Sequence, residues 1–263
     1  MKMRVINIGE RNTREKTYDG GACMDQIKQL AEWLQHSHKT VVLTGPGMTR
    51  ESGIPQFWKK SQWWQGIDPA KIANVMTLED DYDVFHAFYS NYLDAVKDAK
   101  PHKGYKVLAD WEAIGLVERI VTQNIEGLHR KVGNITVNML YGSLHTIRCH
   151  DCGSRASEQA FLDKELCKVC GGKLRPAVAL IGEILAQDVW HETIQAIQTA
   201  DVIICIGTDL KVYPIYRLEH ISHGKLVYIN DDVTDLALDF DLVIEGSIKK
   251  ILQQTDGILK VNT

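Results

Sequence analysis

Apolar positions along the chain follow two rhythms. Between Met24 and Ser37, the residues Ile27, Leu30, Ala31 and Leu34 recur at helical spacing and lead into an apolar run, Thr40–Thr44. Helical patterns return at 78–98 and 102–114, with Pro101 between them, and again at Val189–Thr199 and Ile248–Gln254. Between these lie short, continuous apolar runs: Gly115–Val121, Ile135–Leu140, Ala177–Ile181, Val202–Gly207, Lys225–Asn230 and Leu242–Glu245. Continuous apolar character suits strands buried on both faces, as in a parallel sheet. Strands alternating with helices predict a doubly wound, Rossmann-like α/β fold. The first 22 residues are polar and read as an irregular arm. The stretch from Gly45 to about residue 70 is rich in Trp, Gln and Lys and has no clear period.

Composition narrows the picture modestly. At 263 residues and 44% hydrophobic, the chain has material for one large domain, or for one domain carrying an insert. Thirty Lys and Arg against 34 Asp and Glu give a net charge of −4, which argues against a general nucleic-acid binder. No apolar run reaches the roughly 18–20 residues that span a bilayer. The opening residues meet Glu10 too soon to form a secretion signal. The expectation is a soluble, cytoplasmic protein.

Six cysteines add chemistry. Four form the pattern Cys149-x2-Cys152-x14-Cys167-x2-Cys170, while Cys23 and Cys205 stand apart. Paired Cys-x2-Cys turns read as a zinc site, each supplying two of the four thiolates of a tetrahedron. Gly153, Gly171 and Gly172 suit the tight knuckles that aim the sulfurs at one point. With four protein ligands there is no open coordination position, so the zinc is expected to be structural. Cys205, inside an apolar run, reads as a small core residue.

The run Thr40–Thr44 ends in Gly45-Pro46-Gly47, where glycine allows close backbone approach to an anion. Arg50 stands where a Gly-x-Gly-x-x-Gly fingerprint has its third glycine, so spacing alone leaves a phosphate cradle and an ordinary turn both open. A wider pattern resembles the sirtuin family. Thr44 to Trp58 resembles TGAGxSxxSGIPDFR, Thr122–Glu126 resembles TQNID, and Leu140–His145 resembles LHGSLH. Arg175–Glu183 resembles RPxVVxFGE, Gly207–Pro214 resembles GTSLxVxP, and Ile229, Asn230 and Thr234 resemble INxxxT. The matches run in family order over roughly residues 25–255.

The resemblance implies NAD bound between the nucleotide-binding sheet and a zinc-bearing lobe, and removal of acyl groups from lysine with release of nicotinamide. In that reaction the acyl oxygen attacks the ribose carbon that loses nicotinamide, and a histidine acts as base on a ribose hydroxyl. Gly45, Pro46, Gly47 and Thr49, with Gly207, Thr208 and Asp209, are the implied cofactor loops. Gln123 and Asn124 are expected at the nicotinamide ribose, Ile125 and Glu126 in the nicotinamide pocket, Phe57 over the reacting carbon, and Asn230 at the adenine-side ribose. Val178, Ile181, Gly182, Glu183 and Val212 are expected to bracket an acylated peptide by strand addition. The implied layout is an arm at 1–22, a split nucleotide-binding domain at 23–54, 102–143 and 175–258, a cofactor-loop and helical insert at 55–101, and a zinc module at 144–174.

The departures from the family pattern bear on activity. Tyr141 occupies the base histidine's place, and a phenol titrates near 10 against about 6.5 for imidazole. Positioned bases contribute about 10² to 10⁴ in rate, so impaired deacylation is expected, with Asn124 and Tyr141 the catalytic positions. His145 matches a second family histidine and reads as structural rather than as a relocated base. Pro46 lacks an N–H, Trp58 and Gln56 replace Arg and Asp, and Asp209 brings a negative charge where the family has serine. Lys59, Lys60 or Arg50 could restore the lost cation. Leu180 and Ile181 replace aromatic residues at the acyl channel, and the Tyr-x-x-Arg pair of acid-acyl-preferring members is not visible at 88–93. Trp58, Trp63 and Trp64 read either as a cap on the pocket or as packing. Three outcomes stay open: slow deacylation, NAD hydrolysis or ADP-ribosyl transfer, and non-catalytic binding of a nucleotide-like ligand or partner.

Overall fold

The structure, a computed structural model, describes residues 20–54, 64–208, 221–233 and 240–261. Its strands in chain order are Thr40–Thr44 (β1), Arg119–Thr122 (β2), Val137–Met139 (β3), Gly142–Cys149 (β4), Arg155–Ala156 (β5), Leu174–Val178 (β6), Val202–Ile206 (β7), Lys225–Asn230 (β8) and Leu242–Glu245 (β9). Six of them make an all-parallel sheet in the order β3-β2-β1-β7-β8-β9. The chain winds outward from β1 to β3, then returns to β7 and winds the other way. The reversal falls between β1 and β7, the place where a doubly wound sheet opens a crevice at its carboxyl edge.

Both faces of this sheet are covered, as the continuous apolar runs require. Val202, Ile204 and Ile206 of β7 face one core, with Ile27, Leu30 and Leu34 of helix Gly20–His36, Trp111 of helix Lys103–Ala113 and Leu252 of helix Ile248–Val261. Ile203 and Cys205 face the other, with Ala196 and Ile197 of helix Gln187–Thr199. Cys205 is a core residue, and burial pushes its thiol up to about 12.

Two elements differ from the sequence reading. The run expected as a parallel strand at Ala177–Ile181 instead contributes to β6, which pairs antiparallel with β4 in a separate three-stranded sheet, β5-β4-β6. The pattern at 78–98 divides into helices Val75–Asp80 and Tyr82–Val96, because Asp81 ends the first and caps the second, its carboxylate accepting from Val84 N. Phe85 and Phe88 of the second helix pack with Leu144 of β4, Leu174 of β6 and Phe161 of helix Glu158–Leu162, forming the small lobe. Trp64 meets Phe88 edge-on at 5.8 Å, a packing contact; Trp58 and Trp63 lie outside the described residues. No helix among the described residues is long and apolar enough to cross a membrane.

Candidate active site

The expected cofactor residues converge on the carboxyl edge of the large sheet. Gly45 follows β1, Gln123 and Asn124 follow β2, Gly207 and Thr208 follow β7, and Asn230 ends β8. The two glycine turns touch: Gly47 N donates to Gly207 O at 2.7 Å, and Gly45 N donates to Ile206 O at 2.9 Å. Gly207 has a φ of +62°, and a Cβ there would sit 2.5 Å from Met48 N. Gly207→Ala is therefore expected to cost at least about 2 kcal/mol, since left-handed strain and a backbone clash add. Urea titration checks this, and an unchanged midpoint would contradict the turn-to-turn contact.

Side chains secure the same seam. Asn124 Nδ2 donates to Gly45 O at 2.9 Å. Asn230 Nδ2 donates to the Tyr228 hydroxyl at 2.9 Å, and that hydroxyl donates to Thr208 O at 2.6 Å. Pro46 opens the short helix Pro46–Arg50, where a missing N–H is tolerated. Thr49 turns its hydroxyl onto Pro46 O at 2.9 Å. Arg50, one of the cations named above as able to offset the altered loop, pairs with Asp231. Gln123 Oε1 is buried and has no hydrogen-bond partner among the described residues, so the pocket holds an acceptor that a ligand donor could meet. Phe57, Trp58, Asp209 and Val212 lie outside the described residues, as do Gln56, Lys59 and Lys60.

Beside Asn124, Glu126 is buried, and burial pushes its carboxyl above the usual range. The Tyr92 hydroxyl donates to its Oε1 at 3.0 Å, while Oε2 has no hydrogen-bond partner among the described residues. Tyr92, on helix Tyr82–Val96, is a partner of Glu126 that no local sequence signal singled out. Ile125 is half-buried, and its carbonyl accepts from Leu144 N at 2.9 Å. Tyr141 sits between β3 and β4 with its hydroxyl buried, and it packs against the apolar cluster that contains Leu140 and Trp190. His145 Nδ1 lies 2.9 Å from Glu158 of helix Glu158–Leu162 on the small lobe.

The expected substrate segment is held from within. Arg175 of β6 is fully buried, and it grips Glu183 through Nη1–Oε1 at 2.6 Å and Nη2–Oε2 at 2.9 Å. It also donates to the carbonyl of Val178, itself a core residue. Glu183 accepts from Leu180 N at 2.8 Å, closing a turn in which Gly182 has a φ of +98°. The Glu183 carboxylate thus holds the loop's shape. Ile181 N donates to Ala73 O and Ile181 O accepts from Val75 N, while its side chain is 55% exposed.

Beneath the crevice, the hydroxyls of Thr44 and Thr122 hydrogen bond at 2.8 Å, and His129 Nε2 lies 2.9 Å from Thr44 Oγ1. Burial lowers the His129 pKa to about 4. The unfolded chain, with histidine near 6.5, binds more protons between these values, so stability is full above about pH 6.5 and falls as pH drops toward 4. The contribution is about 3 kcal/mol. Unfolding free energies at pH 7.5 and 4.5 should differ more in the wild type than in His129→Gln; equal slopes would count against this assignment.

The four sequence-predicted cysteines come together. Their sulfurs all lie within 4.8 Å of one another, with Cys149–Cys170 at 3.5 Å and Cys152–Cys167 at 3.7 Å. Four sulfurs about 2.3 Å from one zinc form a tetrahedron with edges of about 3.8 Å, so the cluster fits the metal. Gly153 and Gly171 adopt φ values of +74° and +79°, and a Cβ on Gly172 would lie 2.9 Å from Cys149 Sγ.

A doubly wound nucleotide-type sheet, glycine turns at its switch point and a four-cysteine lobe define a class of protein that comparison with known proteins narrows. A family model described as the Sir2 family matches residues 45–214. The chain is 37% identical over 219 residues to an NAD-dependent protein deacetylase of Oceanobacillus iheyensis, covering 82% of this chain and 93% of that protein. It is 38% identical over 230 residues to NAD-dependent protein deacetylase 1 of Geobacillus kaustophilus, covering 86% and 95%. Among solved structures, a Sir2 homologue in complex with 2'-O-acetyl ADP-ribose superposes with a TM-score of 0.84 at 31% identity, covering 89% of this chain and 97% of that one. A Sir2 homologue–NAD complex gives 0.83 at 30% identity, covering 89% and 94%. The chain belongs to the Sir2 family.

Proposed function

We propose that this protein binds NAD in Sir2 fashion, that its ancestral reaction removes acyl groups from lysine of a protein or peptide with release of nicotinamide, and that deacylation is slowed here by Tyr141. The observation that carries the reading is the strand-end cradle, where Gly45, Gly207 and Asn124 meet beside Gln123 Oε1, a buried acceptor without a partner among the described residues. NAD, when bound, supplies the ribose carbon that takes the acyl oxygen as nicotinamide leaves. In this assignment the glycine turns admit the pyrophosphate, Gln123 and Asn124 orient the nicotinamide ribose, and Asn230 lies at the adenine-side ribose. Glu126, whose carboxyl burial holds above the usual range, lies in the nicotinamide pocket with Tyr92 donating to its Oε1. Tyr141 stands at the base position as a neutral phenol, a weak acceptor for a ribose hydroxyl proton. Ile181 and Gly182, on the turn held by Arg175 and Glu183, flank the acylated peptide. The zinc lobe is structural.

The retained Asn124 favours a second reading, NAD hydrolysis or ADP-ribosyl transfer, because breaking the glycosidic bond depends on ribose geometry more than on the base. The pairing of Arg50 with Asp231 favours a third, binding of a nucleotide-like ligand or protein partner without turnover. Calorimetric titration of the zinc-loaded protein with NAD and ADP-ribose, alongside assay of nicotinamide release, separates them. Millimolar or undetectable affinity for both nucleotides would sink the NAD reading. If NAD binds, Tyr141→His is expected to raise deacetylation of an acetyl-lysine peptide at least tenfold; no rise would place the defect elsewhere.

A further inference from the structure

A chain of buried polar groups runs under the crevice from Asn124 to the surface helix Lys103–Ala113. Asn124 N donates to Thr122 Oγ1 at 3.1 Å, Thr122 Oγ1 meets Thr44 Oγ1 at 2.8 Å, and Thr44 Oγ1 meets His129 Nε2 at 2.9 Å. His129 Nδ1 lies 3.4 Å from Asn134 Oδ1, and Asn134 Nδ2 donates to Glu112 Oε2 at 2.6 Å and to Leu108 O at 3.4 Å. Thr44, Thr122, Asn124, His129 and Asn134 are all buried.

The far end fixes the direction of every proton. Against the opposing effect of burial, hydrogen bonds from Asn134 and from the Thr136 and Ile135 amides hold the Glu112 carboxyl below its usual range, so it is ionised and can only accept. Asn134 must therefore turn its NH₂ toward Glu112 and its carbonyl toward His129. An acceptor facing Nδ1 requires the hydrogen on Nδ1. The ring is neutral at ordinary pH, because burial outweighs the nearby Glu112, and His102 adds to the effect. Nε2 is then a lone pair that takes the Thr44 hydroxyl proton. Hydroxyl hydrogens rotate to suit their partners, so Thr44, with its proton committed to Nε2, takes the acceptor role in its 2.8 Å bond with Thr122, and Thr122 accepts from Asn124 N–H. Tyr105 packs edge-on against the ring at 4.7 Å and limits its rotation.

We propose that His129, as the Nδ1–H tautomer, is a positioning residue for Asn124, acting through a one-way hydrogen-bond relay anchored at Glu112. Asn124 is held at its backbone by this relay and at its amide by Gly45, so the relay sets the register between the β1 and β2 turns. The tautomer follows from the hydrogen-bond geometry together with the charge states of Glu112 and His129, whereas its consequence for ligand binding rests on the NAD reading above.

Long-range ¹H–¹⁵N correlation spectra of the full-length, zinc-loaded protein at pH 7 read the tautomer directly. A protonated Nδ1 with an unprotonated Nε2 is expected for His129, assigned by its loss in His129→Gln. An Nε2–H tautomer or a charged ring overturns the relay. ADP-ribose titration of Thr122→Val and Thr122→Ser tests positioning, with thermal melts confirming that both fold. At least fivefold weaker binding is expected for the valine variant, with the serine variant within twofold of wild type; equal affinities overturn the positioning role. Wild-type protein that binds no ADP-ribose overturns the NAD reading and the positioning role built on it, while the spectra still decide the tautomer.

Discussion

Cys149→Ser is expected to yield protein with less than about a tenth of a zinc per chain and without a folded small lobe. Structural zinc sites are worth about 10–16 kcal/mol in isolated peptides, comparable to or larger than the net stability of most domains. Cys149 and Cys167 are buried in the same core that holds Ile147, Phe161 and Leu174, so losing the metal also uncovers apolar surface. Metal analysis of freshly purified protein and the cooperativity of its melting curve read the effect. Cys205→Ser serves as the control, because Cys205 lies in the large sheet and its loss should leave zinc content unchanged. Retention of one zinc by the Cys149 variant would overturn the four-thiolate assignment.

Glu183→Ala is expected to destabilise the fold by about 3–5 kcal/mol, the range for breaking a buried ion pair by removing one partner. Two guanidiniums share this carboxylate: Arg175 at 2.6 and 2.9 Å, and Arg148 at 3.4 Å. Burial, reinforced by the neighbouring Arg175, already lowers the Arg148 pKa, so deleting Glu183 leaves two cations facing each other with one of them sealed from water. The Leu180–Glu183 turn loses its closing bond as well. Replacing the pair together, as Arg175→Met with Glu183→Leu, should recover most of the loss, because the charge sealed from water is gone and the one left without its partner, Arg148, is partly exposed. Urea midpoints for the single and double variants give the comparison. A single variant within about 1 kcal/mol of wild type would show that water reaches Arg175.

The sequence revealed features that rest on local pattern. β1, β7, β8 and β9 were legible because each is an apolar run with a turn or helix at its ends, and the zinc site because its ligands come in short pairs. β6 was misplaced because an apolar run reports burial and is silent about which strand lies beside it. Glu183 was expected to face substrate, yet its carboxylate turns inward, a direction set by Arg175 eight positions earlier on β6. His129 carried no signal at all: of its two hydrogen-bond partners Asn134 is nearby in the chain, but Thr44, and beyond them Thr122 and Glu112, come from segments distant in sequence or unmarked by any local pattern. Tyr92 was hidden among aromatic core residues of its helix for the same reason.

The meeting of Gly47 and Gly207 constrains how this protein could change over descent. Backbone faces backbone there, so neither position can gain a side chain, and the halves of the sheet that carry them can be exchanged between relatives only as matched partners. Variation is left to the immediate chain neighbours, and two of the departures from the sirtuin pattern, Pro46 and Asp209, stand next to or within two residues of this seam. Residues beside the seam can therefore vary while the backbone contact between the two turns stays put.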